Sequence, residues 1–234
     1  MAEQIDHDEH HRNISDGWFR AAIFGISDGL VTNTSFILGF AGASPGAGVV
    51  RVAGVAALIA GAFSMGSGEY ISVRAQRELL ESEIEVERRA LQADPDGERR
   101  ELEAIFLSRG IDPELASRLS EDLMRDPDLA LRTHVREELG MDPDAVGNPW
   151  SAAFSSFGAF SVGAFLPLVP WLFTGLHHQV ETSVGIAAAA TLAIGASIGW
   201  FSRRGVVRWA LIQTGVTGLA AAVTYFVGHI IGSR

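Results

Sequence analysis

Neither cysteine nor lysine occurs among the 234 residues. Without cysteine there are no disulfides, no thiolate metal sites and no cysteine nucleophile. Every one of the 18 basic residues is arginine, a bias that coding composition is enough to explain and that carries no functional reading. No removable leader is expected either, since Met1–Arg12 is polar, acidic and histidine-bearing, with no short apolar core ending at small residues. The first apolar run is therefore expected to direct membrane insertion itself.

What the chain has instead is apolar residues in blocks. Hydrophobic residues make up 47% of it, and five blocks reach the 17 to 25 residues needed to cross a hydrocarbon core about 30 Å thick. They fall at about 18–43, 49–72, 151–173, 183–202 and 206–231. The expected fold is an all-α membrane protein of five transmembrane helices, with a helical insert between the second and third. The expected divisions are a polar segment 1–17, spans one and two in 18–75, the insert in 76–148 and the last three spans in 149–234.

Arginine positions orient the chain. Arg12 and Arg20 precede span one, Arg74 and Arg77 follow span two, and Arg203, Arg204 and Arg208 lie between spans four and five. With five spans all three clusters share one side, which the positive-inside rule makes cytoplasmic. The N-terminus and insert are then cytoplasmic, the C-terminus and the loop 174–182 outside; Arg51 is the one dissenter.

The net charge of -10 is local: Gln76–Asp144 holds 20 Asp and Glu against 10 Arg. That argues against nucleic acid as a partner. Four Asp-Pro pairs, at 94–95, 112–113, 126–127 and 142–143, mark helix starts, since Asp caps the free amides and proline suits the first helical position. With no Gly or Pro after Gly68, span two should run on to about Ala93. Helices should follow at about 98–109, stopped by Gly110, at 113–125, and at 127–139, stopped by Gly140.

Glu83 and Glu87 lie four apart on one helix, Glu98 and Glu101 three apart on the next, and His134 and Glu138 four apart on the last, so each pair shares a face. Converging, the faces would form an oxygen-rich cage with one imidazole, suited to Fe(II) or Mn(II). The plainer readings stand beside this one: acidic residues suit a helix N-terminus, and Glu78, Glu81, Glu83, Glu85 and Glu87 also read as a solvated face.

Inside the spans, Asp28 is a lone carboxylate in an apolar run, where an unpaired charge costs roughly 2.5–3.5 kcal/mol and usually serves to move something charged. Thr32 and Ser35 continue its stripe, and Met65, Glu69 and Ser72 share a face of span two. Two carboxylates and a thioether can hold and release a transition-metal ion, although Met65 reads equally as core filler. Pro167 and Pro170 should kink or break span three; Gln213, Thr214 and Thr217 read as interhelical hydrogen bonds, and His177, His178 and His229 as surface residues.

Four phrases in order, Ser27-Asp28-Gly29-Leu30-Val31-Thr32-Asn33, Ser64 to Ser72, Glu137-Glu138-Leu139-Gly140 and Phe165 to Pro170, resemble the vacuolar iron transporter family. The resemblance runs from about Ile14 to the C-terminus. It implies a five-span homodimer in the lipid bilayer that moves Fe(II), and often Mn(II), out of the cytosol in exchange for protons, with no prosthetic group. It also implies that the insert is a cytoplasmic metal-binding domain with ligands at Glu87, Glu98, Glu101 and Glu138, and that Asp28 and Met65 occupy the membrane positions. Where plant members have a further insert glutamate this chain has Ala90, with Glu83 as substitute; His134 stands for a methionine, and Ala57 for an intramembrane glutamate that Glu69 replaces. Imidazole for thioether widens the expected ions to Co(II) and Zn(II). The expected protein is thus a non-enzymatic divalent-metal/proton antiporter of a bacterial inner membrane, with Asp28, Thr32, Met65 and Glu69 on its pathway. The other reading is a membrane-anchored iron-storing or iron-oxidising protein, against which stands the lack of any Glu-x-x-His pair.

Overall fold

The computed structural model describes residues 17–43, 46–140, 147–173, 178–203 and 205–233, with side chains from residue 21 onward. The polar segment ahead of residue 17, the Asp142-Pro143 pair, His177 and Arg204 lie outside the described residues, as does the side chain of Arg20. The described chain is helical: α1 Gly17–Gly42, α2 Ala47–Ala93, α3 Pro95–Ser108, α4 Pro113–Met124, α5 Pro127–Glu137, α6 Pro149–Leu172, α7 Gln179–Phe201 and α8 Val206–Gly232. Five of these, α1, α2, α6, α7 and α8, are long and apolar enough to cross a membrane. The chain divides into two compact units, Met1–Tyr70 with Pro149–Arg234, and Ile71–Asn148.

In the second unit the helix starts follow the local code. Asp94 accepts from the Gly97 amide at 2.9 Å, Asp112 from Glu114 at 3.0 Å, and Asp126 from Asp128 at 3.0 Å. Each is followed by proline at the first helical position. Such a cap contributes about 1 kcal/mol by satisfying an amide that the helix cannot. The end of α3 is equally explicit. Gly110 takes φ +83°, its amide bonds the Leu107 carbonyl at 3.0 Å, and the Ile111 amide bonds Phe106 at 3.2 Å. This is a Schellman ending, and its apolar closure is present because Ile111 packs against the buried cluster of Leu102, Phe106 and Ala116.

In the first unit the helices approach through small residues, which in lipid replace the hydrophobic drive for packing. On α1, a Cβ at Gly29 would run into the Phe160 carbonyl, and one at Gly163 of α6 into the Ile26 carbonyl. At this seam Asn33, wholly buried, donates to the Ala164 carbonyl at 2.5 Å. The apolar part of α2 adds Val50 and Ala62, which join clusters with Ile37, Leu168 and Trp171 and with Phe160 and Ala164.

Helix α6 runs through Pro167 and Pro170 to Leu172, so of the kink or break expected there the break is not found. Side chains occupy its late carbonyls: Ser183 donates to Pro167, Gln179 to Pro170 at 3.4 Å, and Arg51 to Trp171 at 2.7 Å. Arg51, the arginine that disagreed with the charge rule, is thus accounted for as a cap on the last turn of α6. Gln213 donates to Ser27 at 2.5 Å and Thr214 pairs with Thr191 at 3.2 Å, as their interhelical reading expected.

Gly163→Val should separate α1 from α6, since overpacking a tight contact costs about 1–3 kcal/mol. Thermal melts of the detergent-purified protein check this, with Gly158→Ala, whose Cβ would meet nothing within 4 Å, expected to melt like wild type.

Candidate metal site

Three helices of the second unit bring chemistry to one point. Glu87 comes from the charged continuation of α2, Glu98 and Glu101 from the first two turns of α3, and His134 with Glu138 from the last turn and C-cap of α5. The α5 spacing is what the four-residue interval requires, and the Asp94 and Asp126 caps set where α3 and α5 begin. One ligand atom each from Glu87, His134 and Glu138 lies within 4.8 Å of the others. His134 is fully buried and Glu87 6% exposed, whereas Glu138 is exposed.

The separations carry chemical information. His134 Nδ1 stands 3.2 Å from Glu87 Oε1 and 3.7 Å from Glu98 Oε2. Neither approach is aligned as a hydrogen bond, because Nδ1, Nε2 and Glu87 Oε1 are all buried without a hydrogen-bond partner. Two ligands on one ion at about 2.1 Å, with bond angles of 90–110°, stand about 3.0–3.4 Å apart. The 3.2 Å between the unpartnered Nδ1 and Oε1 falls within that range.

Crowding perturbs the acids. Burial, then the nearby charges of Glu138 and Glu98, a hydrogen bond with Glu138 and the charge of Glu101 push the Glu87 carboxyl up to about 7. Burial first, and then Glu101, Glu138 and Asp94, raise Glu98 as well. His134 is lowered by its burial, against an opposing pull from Glu101. Glu87 therefore keeps its proton up to about neutrality, and burial favours the neutral imidazole that can ligate.

The structure also separates these acids from their neighbours. Arginine pairs with Glu78, Glu81, Glu85, Glu103, Glu114, Asp122 and, across from Arg109, with Glu137. Among the described residues no arginine pairs with Glu87, Glu98, Glu101 or Glu138. Glu83, half-buried one turn before Glu87, enters none of the contacts of the site.

In the first unit Asp28 is half-buried and accepts from Thr32 at 3.4 Å. Among the described residues no hydrogen bond or ion pair links it to another helix. Ser35 is buried with an unpartnered hydroxyl. Met65 packs against Ala62, Phe160 and Ala164, so its surroundings are apolar, and Glu69 lies half-buried on α2. Asn33 carried less weight in the sequence than the structure gives it: its Oδ1 is buried and unpartnered. The available signal was an amide five residues from Asp28 in an apolar run.

For Glu87 the sign with pH is definite. Its folded value is above its ordinary value of 4.5, so between 4.5 and about 7 the folded state holds a proton that the unfolded chain has released. Its stabilising contribution is complete below 4.5 and is lost as pH rises through 7. Melts of the metal-free protein should show a decline over that window that Glu87→Gln flattens. Binding an ion must displace the same proton, so Co(II) affinity by calorimetry should fall about tenfold per pH unit below 7.

The sequence matches the model of the VIT family over residues 19–229. A vacuolar iron transporter of Acanthamoeba castellanii (strain ATCC 30010 / Neff) is 32% identical over 228 residues, covering 97% of this chain and 84% of that protein. Vacuolar iron transporter 1 of Oryza sativa subsp. japonica is 30% identical, covering 97% of this chain and 92% of the relative. Vacuolar iron transporter 1 of Arabidopsis thaliana is 28% identical, covering 97% and 91%. These matches extend along both compact units and across all five apolar helices, and the chain belongs to the VIT family.

Proposed function

We propose that this integral membrane protein transports Fe(II), with Mn(II) as a second cargo, out of the cytoplasm in exchange for protons. The observation that carries the reading is the convergence of Glu87, His134 and Glu138, with Nδ1 and Oε1 3.2 Å apart and unbonded. The relatives' name, vacuolar iron transporter, supports the cargo.

In this reading Glu87, Glu98, Glu101, His134 and Glu138 collect the ion on the cytoplasmic side. Glu83 takes a peripheral part, since it stands outside the contacts of the site. The ion then passes between spans one and two of two protomers, where Asp28, with Thr32, Met65 and Glu69, exchanges it for protons. A carboxylate in an apolar helix suits this role because it is costly as an anion and becomes tolerable with a proton or a cation on it. The arginine clusters favour an orientation with the insert inside and the C-terminus outside, and the setting we propose is a bacterial inner membrane.

Proteoliposomes with an imposed proton gradient test the scheme. Asp28→Asn should abolish proton-coupled Fe(II) flux while the protein remains folded; wild-type flux from that variant would overturn the pathway. Glu87→Gln should leave the saturating rate within about twofold and raise the half-saturating Fe(II) concentration about tenfold, because it removes collection and not passage.

A further inference from the structure

The donors of the site differ in kind as well as in burial. Glu87, Glu98, Glu101 and Glu138 supply oxygen, and His134 supplies its only nitrogen. A cage of carboxylates alone suits Mg(II) and Ca(II), hard ions that take oxygen ligands and that every cytoplasm contains in excess. An imidazole nitrogen is a poor partner for those ions and a good one for Fe(II), Co(II) and Zn(II), with Mn(II) weakest of the first-row series.

Resting on the reading of this site as the point where ions are collected, we infer that His134, binding through Nδ1, decides which ions the insert admits, favouring Fe(II), Co(II) and Zn(II) over Mn(II), Mg(II) and Ca(II). Three features of the geometry carry this. The imidazole is the most deeply buried member of the group, with no exposure, so a ligand reaching Nδ1 must shed water to do so. Nδ1 lies beside two carboxylates on two other helices, at 3.2 Å and 3.7 Å. Neither ring nitrogen has a hydrogen-bond partner, although buried polar groups are nearly always paired.

A purely structural histidine would not leave this signature. As core filler it would anchor at least one nitrogen on a carbonyl or hydroxyl, and as a simple partner of Glu87 it would align Nδ1–H with Oε1. The described contacts contain neither. A buried, unpartnered nitrogen beside Glu87 and Glu98 is accounted for by an ion held among them.

The test uses the full chain, purified in detergent and stripped of metal, with Co(II), Mn(II) and Mg(II) as probes. Wild type should bind Co(II) at least about a hundredfold more tightly than Mn(II), and millimolar Mg(II) should not displace the Co(II). His134→Met should weaken Co(II) by at least the roughly 10–100-fold that even outer partners of metal ligands are worth, with Mn(II) changed less than about threefold. Proton NMR of the Co(II) form should show a paramagnetically shifted, exchangeable imidazole N–H in wild type that His134→Met lacks.

An unchanged Co(II)-to-Mn(II) ratio in His134→Met would overturn the inference. So would a Co(II)-loaded wild type without the shifted N–H, a result that needs no variant to fold. Glu87→Gln tells the two levels apart. If it loses both ions while the His134 results fail, the collecting site stands and its selectivity lies elsewhere; if it binds both like wild type, the site reading falls and the inference with it.

Discussion

Like charges gathered around a group that water cannot reach are tolerated only if something positive sits among them. The second unit is organised around that constraint. Glu87, Glu98 and Glu138 gather beside an imidazole with no exposed surface, with the charge of Glu101 nearby, and self-repulsion can be relieved in one of two ways, by the proton that Glu87 holds or by a cation. The two occupants exclude each other, since each uses the same lone pairs. From this follow the raised Glu87 and Glu98 and the neutral His134.

The first unit meets the same difficulty, a carboxylate away from water, by different means. Asp28 has one hydroxyl from its own helix for support, in surroundings made by backbones in near contact at Gly29 and Gly163. Such a seam has little room to rearrange, because the atoms that meet there are main chain. Polar demand at the seam is met by carbonyls of α6, which Asn33, Ser183, Gln179 and Arg51 engage in turn. The membrane-spanning unit therefore offers a closely packed frame around Asp28, and the insert offers several charges gathered at one point.

Most of the helix boundaries were legible because their causes are local. Asp94, Asp112 and Asp126 each bond amides two or three residues on, and Gly110 closes α3 within its own turn, so a reader of sequence sees every atom that matters. Apolar run length similarly exposed the spans. Convergence is not local. The four-residue spacing of Glu83 and Glu87 looked as good as that of His134 and Glu138, yet Glu83 stays out of the cluster, because which side of a helix meets its neighbours is set by tertiary packing that spacing does not encode. The burial of His134 was hidden for the same reason. Pro167 and Pro170 marked a kink or a break, and the helix nevertheless continues to Leu172, because tolerance of proline in a packed membrane helix depends on neighbours that sequence position alone does not bring near.

The arginine pairs along the outer faces of the insert contribute little stability, since exposed pairs of this type are worth a few tenths of a kcal/mol. Their consequence is kinetic. A divalent cation wandering over an acidic surface is delayed at every free carboxylate it meets, and a uniformly anionic insert would hold ions everywhere and deliver none. Here Glu78, Glu81, Glu85, Glu103, Glu114 and Asp122 are each engaged by a guanidinium, and Asp94, Asp112 and Asp126 are turned inward to amides. The net negative field still draws cations in, while many of the groups that produce it are already engaged, and on the proposed reading an ion would stay longest where Glu87, His134 and Glu138 converge.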